Sequence, residues 1–335
     1  MVRSSLLIDL NQFSQNLRRI RSLIPKQTKL MLVAKANAYG LGAAPLACHA
    51  DVDYFGVIWP TEGIELRQAG ITRPILLLSE PVGCDLRSLL PYHFTYTVYT
   101  KEFADSLAAL QTPISVHIKI DTGMGRLGHP AQNAHAFINY VRSLNLHVEG
   151  IYTHYSRSDE PDAQETKTQL NQFLNLTEGL GIALRHSANS QAMIHFPETH
   201  LDMVRVGLAA YENIMTFRSS VEHVKEFPAG SPIGYGASHV TQQATAIATV
   251  NAGYADGIPP SFGNRSQVLI NGKKYPIVGK ICMDMFMVDI GLDSKTQAGD
   301  DVVIVSKENP IDDSLGINPR QFTCNIGARV SRIYR

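Results

Sequence analysis

The chain has 335 residues, 30 basic and 30 acidic side chains, and 44% hydrophobic residues. That length exceeds one small domain and suits a large α/β barrel with an appendage, or two domains. The even charge balance argues against nucleic acid or a membrane surface as partner, and no stretch reads as a signal peptide or a membrane span.

The first apolar period is helical: Phe13, Leu17, Ile20 and Ile24 share one face, and Pro25 closes it. Strand patterns then recur near 29–34, 54–58, 74–79, 95–99, 114–120, 148–154, 183–188 and 203–206. Helical patterns separate most of them, at 61–69 (closed by Gly70), 101–110, 131–144 and 163–179. Eight strands alternating with helices predict a (β/α)8 barrel over 1–214, with an open doubly wound sheet as the alternative. After about residue 212 the helical period fades. Strands are expected at 240–250, 267–271, 274–278, 285–290 and 301–305, with Asn271-Gly272 as a hairpin turn, so 215–335 reads as a mostly β domain. Cys48, Cys84, Cys282 and Cys324 are scattered and form no paired motif. They predict reduced thiols in a cytoplasmic protein, with neither a disulfide frame nor a metal site.

The chemistry-bearing residues fall at strand ends. Lys35 closes the apolar run that begins at Lys29 and precedes Ala36-Asn37-Ala38-Tyr39-Gly40. Desolvating an ammonium is expensive, so a lysine there needs a charge partner or has become a Schiff base with a carbonyl cofactor. Lys119, Asp121 and Arg126 surround the end of the fifth strand, and His154 follows the sixth. Asn189-Ser190 follow the seventh strand and Arg205-Val206-Gly207 end the eighth. Taken singly, each has an ordinary structural reading; their joint placement on the catalytic face of a barrel is the signal.

These segments, in this order, resemble the alanine racemase family. The likeness runs from Ile8-Asp9-Leu10 and Asn16 through the lysine motif, 119–128, Thr153-His154, Asn189-Ser190 and Arg205-Val206-Gly207. It continues through Ala252-Gly253-Tyr254-Ala255-Asp256-Gly257 and 276–284, ending Cys282-Met283-Asp284. The resemblance implies pyridoxal 5'-phosphate as cofactor, carried by Lys35. Tyr39, Ser190, Asn189 and the backbone at Gly207 would cradle its phosphate side, and Arg205 would face the ring nitrogen with His154 orienting it. Arg126 would meet the cofactor's phenolic oxygen and the substrate carboxylate, and Met283 would close the carboxylate site.

Racemisation needs acid–base groups on opposite faces of the α-carbon. The resemblance assigns them to Lys35 and to Tyr254, the latter from the second subunit of a homodimer with shared active sites. Without that likeness Tyr254 reads as a turn tyrosine. Lys119 matches a lysine that some members carry carbamylated, and Asp159 would line the entrance. Two departures stand out. Arg320 occupies the register of a phosphate-contacting tyrosine, and Lys280 stands where an arginine is usual. The implied activity interconverts L- and D-alanine and supplies D-alanine for peptidoglycan. The rivals are a serine or broad-specificity racemase, a decarboxylase of related fold, and a catalytically silent cofactor-binding homologue.

Overall fold

The computed structural model describes residues 3–161 and 163–335. The chain divides into two compact units. One comprises Phe13–Ala38 and Ala43–Glu212; the other comprises the segment ending at Gln12, Tyr39–Gly42 and Asn213–Arg335.

The first unit is the expected barrel. Its strands are β1 (Lys29–Val33), β2 (Tyr54–Val57), β3 (Ile75–Leu77), β4 (Thr95–Val98), β5 (Ser115–Asp121), β6 (His147–Tyr152), β7 (Leu184–His186) and β8 (Met203–Val206). All neighbours pair in parallel, in the order β8-β1-β2-β3-β4-β5-β6-β7. The ends meet where Asp202 N–H donates to the Arg185 carbonyl and Arg205 N–H to the Ala188 carbonyl, each at 3.0 Å. Those two bonds close the sheet and exclude the open doubly wound alternative. The helices fall where the apolar periodicity puts them: Leu10–Leu23, Pro60–Gln68, Lys101–Ala108, Ala134–Ser143 and Gln164–Thr177. Phe13, Leu17 and Ile20 form the buried face of the first.

The barrel interior mixes oil with polar groups. Met31, Tyr54, Leu76, Tyr152, Leu184 and Met203 pack together as a buried cluster. Thr97, His117 and His186 are fully buried, and Arg205 almost so. Buried polar groups on this scale must be hydrogen-bonded to be tolerated.

The second unit is a closed antiparallel barrel. Its strands run in the order Thr245–Val250, Phe286–Asp289, Lys273–Val278, Gln267–Ile270, Asp301–Val305 and Met215–Phe227. Met215–Phe227 pairs back onto Thr245–Val250 and closes the ring. That 13-residue strand bends at a register shift between Val221 and His223, which lets its two halves pair with different neighbours. Ser4–Ile8 extends the sheet antiparallel to it, and Ser331–Tyr334 adds on in parallel.

Two sequence expectations change here. A barrel domain of 1–214 is not one continuous piece: Ser4–Ile8 and Tyr39–Gly42 belong with the β unit, and residues 1 and 2 lie outside the described residues. The expected strand at 240–250 is broken into His239–Val240 and Thr245–Val250. Between them Thr241 turns the chain, its hydroxyl donating to the Pro228 carbonyl at 2.7 Å and accepting from Ser231 N–H at 2.9 Å. The Asn271-Gly272 turn forms as read, with both residues at positive φ (52° and 78°) joining antiparallel strands.

Candidate active site

In the barrel unit, β1 delivers Lys35 to the C-terminal end of the sheet. The backbone then makes an unusual move. Ala36, Asn37, Ala38 and Tyr39 all have positive φ (51°, 53°, 51° and 58°), one left-handed turn. Such a conformation costs L-residues about 1–2 kcal/mol each, so local bonds must hold it. The Glu62 carboxylate accepts from Ala36 N–H at 2.6 Å, and Ala38 N–H donates to the Ala34 carbonyl at 2.8 Å. The Asn37 side chain accepts from Ala43 N–H at 2.7 Å. Asn37 suits this conformation, whereas Ala36, Ala38 and Tyr39 are held in it against their intrinsic preference.

Around it the barrel gathers cations. Lys119 on β5 is 6% exposed and sits with its Nζ 5.3 Å from the Tyr152 ring centre. Arg205 on β8 lies 5.0 Å from the same ring. Burial, then the nearby charges of Arg205 and Arg126, pull the Lys119 ammonium down to about 7. Burial also lowers Arg205 to about 10, which leaves it cationic at neutral pH. Its Nη2 donates to the Thr153 and Ser187 carbonyls at 2.7 and 2.9 Å and meets His154 Nδ1 at 3.3 Å. Its Nη1 donates to His186 Nδ1 at 2.9 Å. None of these four bonds uses Nε, and none of the acceptors is a carboxylate. Burial and the charge of Arg205 hold His154 well below its usual range, so its ring is neutral and can accept.

Asp121 does not neutralise this cluster by a direct ion pair. Its carboxylate is occupied with the following loop, accepting from Gly123, Met124 and Gly125 N–H at 2.8–3.2 Å. That loop presents Arg126, which is exposed yet close enough for its charge to act on Lys119 and His154.

A serine hydroxyl and backbone amides meet at the ends of β7 and β8. The buried Ser190 hydroxyl accepts from Gly207 N–H at 3.1 Å and Ala209 N–H at 3.3 Å. Asn189 is used structurally: its side chain caps the helix Ser190–His195 through Gln191 and Ala192 N–H and bonds Ser158 at 2.8 Å. Asp159 is exposed in the neighbouring loop, which the pairs of Arg157 with Glu160 and Glu165 stiffen.

The β unit carries the other candidates. Tyr254 opens a short turn pinned by backbone bonds: Tyr254 N–H to the Cys282 carbonyl at 3.0 Å and Ala255 N–H to the Met283 carbonyl at 3.1 Å. Gly253 is required there, because a Cβ would lie 2.3 Å from the Met283 carbonyl oxygen. Asp256, fully buried, accepts from Gly253 N–H at 2.8 Å and from Arg329 Nε and Nη2 at 2.7 and 2.9 Å. Asp284 meets the same arginine at 2.8 Å. The turn is therefore rigid, while the side chains of Tyr254 and Met283 remain 47% and 54% exposed.

Tyr39 and Arg320 come together in this unit. Burial raises the Tyr39 phenol, and the Arg320 charge acts in the opposite direction. The approach is fixed at Gly40, whose hydrogen faces the Thr323 carbonyl oxygen where a Cβ would lie at 2.1 Å.

Three residues escaped the sequence reading: His117, Tyr152 and His186. They line the barrel interior, with Tyr152 stacked on His186 at 4.6 Å and His117 Nδ1 2.8 Å from His186 Nε2. Alternation along β5 was the available signal, since His117 lies two residues before Lys119 and faces the same side. Among the described residues no cluster of His, Cys, Asp or Glu could hold a metal ion, and no helix is long and apolar enough to cross a membrane. The four cysteines form no disulfide among the described residues.

Comparison with known proteins finds two family profiles along the chain. The profile "Alanine racemase, N-terminal domain" matches residues 8–213, and "Alanine racemase, C-terminal domain" matches 214–334. The chain is 38% identical to the alanine racemase of Desulforamulus reducens, covering 98% of this chain and 97% of the relative. It is 36% identical to that of Desulfovibrio desulfuricans, covering 98% and 96%. The crystal structure of alanine racemase from the D-cycloserine producer Streptomyces lavendulae superposes with a TM-score of 0.92 at 32% identity, covering 100% of this chain and 97% of that one.

Proposed function

The chain belongs to the alanine racemase family, and on that premise we propose that it interconverts L- and D-alanine with pyridoxal 5'-phosphate. The residues fit that group. The barrel's strand ends gather cations and a hydroxyl: Lys35, Lys119, Arg126, Arg205 and Ser190, whose oxygen already accepts from the Gly207 and Ala209 amides and so has its own hydrogen left to donate. An anionic, aromatic aldehyde is what such a set would hold. The observation that carries the reading is Arg205, a buried guanidinium whose four acceptors include no carboxylate.

Lys35 would anchor the cofactor through its amine. Ser190 and the Gly207 backbone, with Asn189 shaping the helix start and Tyr39 and Arg320 adding contacts, would hold the phosphate. When bound, the cofactor supplies an electron sink that acidifies the substrate's α-hydrogen. Arg205 would face the ring nitrogen as a hydrogen-bond donor that keeps its own proton, which would limit that sink and favour simple return of hydrogen to the α-carbon. His154 helps orient the guanidinium.

Lys35 then holds and moves the proton on the D face, and Tyr254, contributed by the second subunit of a homodimer, does so on the L face. Arg126 and Met283 bind the substrate carboxylate, and Asp159 lines the entrance. A carbamate on Lys119, of the kind some family members carry, would turn a buried cation into an anion beside Arg126. The product would serve peptidoglycan synthesis in the cytoplasm. The test is a chiral assay of purified protein with L-alanine and L-serine. D-alanine formation well above D-serine supports the reading; equal rates would make it a broad-specificity racemase, and neither product would make it a silent homologue.

A further inference from the structure

Arg205 stands at one end of a hydrogen-bonded line that crosses the barrel interior. Its Nη1 donates to His186 Nδ1 at 2.9 Å. His186 Nε2 lies 2.8 Å from His117 Nδ1. His117 Nε2 faces Glu149 Oε2 at 3.6 Å, an ion-pair distance rather than a formed hydrogen bond. The other Glu149 oxygen accepts from the Tyr54 hydroxyl. Both histidines are fully buried, and the Glu149 side chain, near the start of β6, is 22% exposed.

The direction of this line can be derived. A guanidinium has only donors, so His186 Nδ1 must present a lone pair to Arg205. Burial holds both imidazoles below their usual range, so each carries one hydrogen. The hydrogen of His186 is then on Nε2 and points at His117 Nδ1, which must accept. The hydrogen of His117 is therefore on Nε2, directed at Glu149. His117 beside it, and the Tyr54 hydroxyl, hold the Glu149 carboxyl below its usual range, so the acceptor is an anion. Starting from Glu149 gives the same polarity, because a carboxylate repels a lone pair and attracts an N–H. Both ends thus demand one tautomer at each histidine. Reversing it would set an N–H of His186 against an N–H of Arg205.

We propose that Glu149 and His117 are positioning residues for Arg205: the carboxylate at the far side of the barrel reinforces, from the end opposite Arg205, the histidine tautomers that keep an acceptor in front of the buried guanidinium. The line also gives Arg205 its distant counter-charge, which its own contacts lack. The effect on turnover rests on the placing of Arg205 toward the cofactor ring; the tautomer assignment does not.

The test uses the full-length holoprotein with 15N-labelled histidine. In the native protein His117 and His186 should each show a protonated Nε2 and an unprotonated Nδ1. In Glu149→Leu the His117 Nε2 hydrogen loses its acceptor, so the reversed tautomer should become detectable at both histidines although Arg205 still opposes it, and kcat should fall on the order of tenfold with the melting transition retained. Glu149→Gln restores an acceptor without the charge and should return the native pattern and most of the turnover. A native histidine pattern in Glu149→Leu would overturn the proposal, as would a tautomer mixture with unchanged kcat. Should Glu149→Leu fail to fold, His117→Phe asks the same of His186, and a native His186 pattern there overturns it equally. Failure of the ring-nitrogen reading is seen separately: Arg205→Lys with native turnover would remove that reading and leave the native tautomers standing.

Discussion

The strand ends of the barrel and the Tyr254 turn of the β unit hold their reactive side chains by opposite means. In the barrel, Lys119 and Arg205 are buried, and desolvation lowers both, with the charges of Arg205 and Arg126 adding to the effect on Lys119. In the β unit, the backbone is fixed by Gly253, Asp256 and Arg329, and the side chains of Tyr254 and Met283 project half-exposed. The first region tunes chemistry by electrostatics within one chain. The second holds its groups on a rigid turn and leaves them half-exposed, the arrangement that the proposed shared dimer site would use. Each prediction below breaks one region and asks whether the other still works.

The largest effect is expected from Tyr254→Phe. Racemisation should fall about a hundred- to ten-thousandfold in both directions, because the same proton step limits both. The barrel's half should survive. D-alanine should exchange its α-hydrogen with deuterated solvent faster than it racemises, while L-alanine exchanges much less. Equal exchange of both isomers, followed by proton NMR, would refute the face assignment.

Arg205→Glu strikes the other region. A carboxyl partner can let the ring nitrogen protonate and deepen the electron sink. Lower turnover is expected, with a long-wavelength absorbing species absent from the native protein. Native turnover with a native spectrum would remove Arg205 from its role.

Lys119 gives the barrel a pH signature. Its folded value of about 7 lies below the unfolded range, so between about pH 7 and 10 the unfolded chain binds more protons and this group's contribution to stability rises with pH. The neutral amine is also what attacks carbon dioxide. At fixed dissolved carbon dioxide, carbamate on Lys119 should increase as pH rises through 7, read by 13C NMR after labelling. No labelled carbamate at any pH would leave Lys119 an unmodified cation.

The smallest effect is Arg320→Ala, which removes a charge-assisted contact worth about 1.5–3 kcal/mol and should weaken cofactor retention on the order of tenfold. Unchanged retention in an equilibrium dialysis would show that this side chain serves solvent.

Much of the barrel was legible because its signals are local. Each strand is a short apolar run, each helix shows its period, and Lys35, His154 and Arg205 stand out as costly residues at strand ends. The β unit was less so. Ser4–Ile8 alternates over five residues only, and its partners in Met215–Phe227 and Ser331–Tyr334 are more than two hundred residues away. The Thr241 turn depends on the Pro228 carbonyl, which no local pattern announces. His117 and His186 were missed because each reads as an ordinary strand residue until the barrel closes and sets them 2.8 Å apart.

In the proposed mechanism the two regions supply opposed bases to one site from different copies of the chain. Mixing Lys35→Ala with Tyr254→Phe tests it directly. Each variant alone should be nearly inactive. After exchange of subunits in the presence of cofactor, half of the dimers are mixed and each has one intact site of two, so racemase activity should recover to about a quarter of native. A mixture that stays inactive, although the subunits demonstrably exchange, would contradict the shared site.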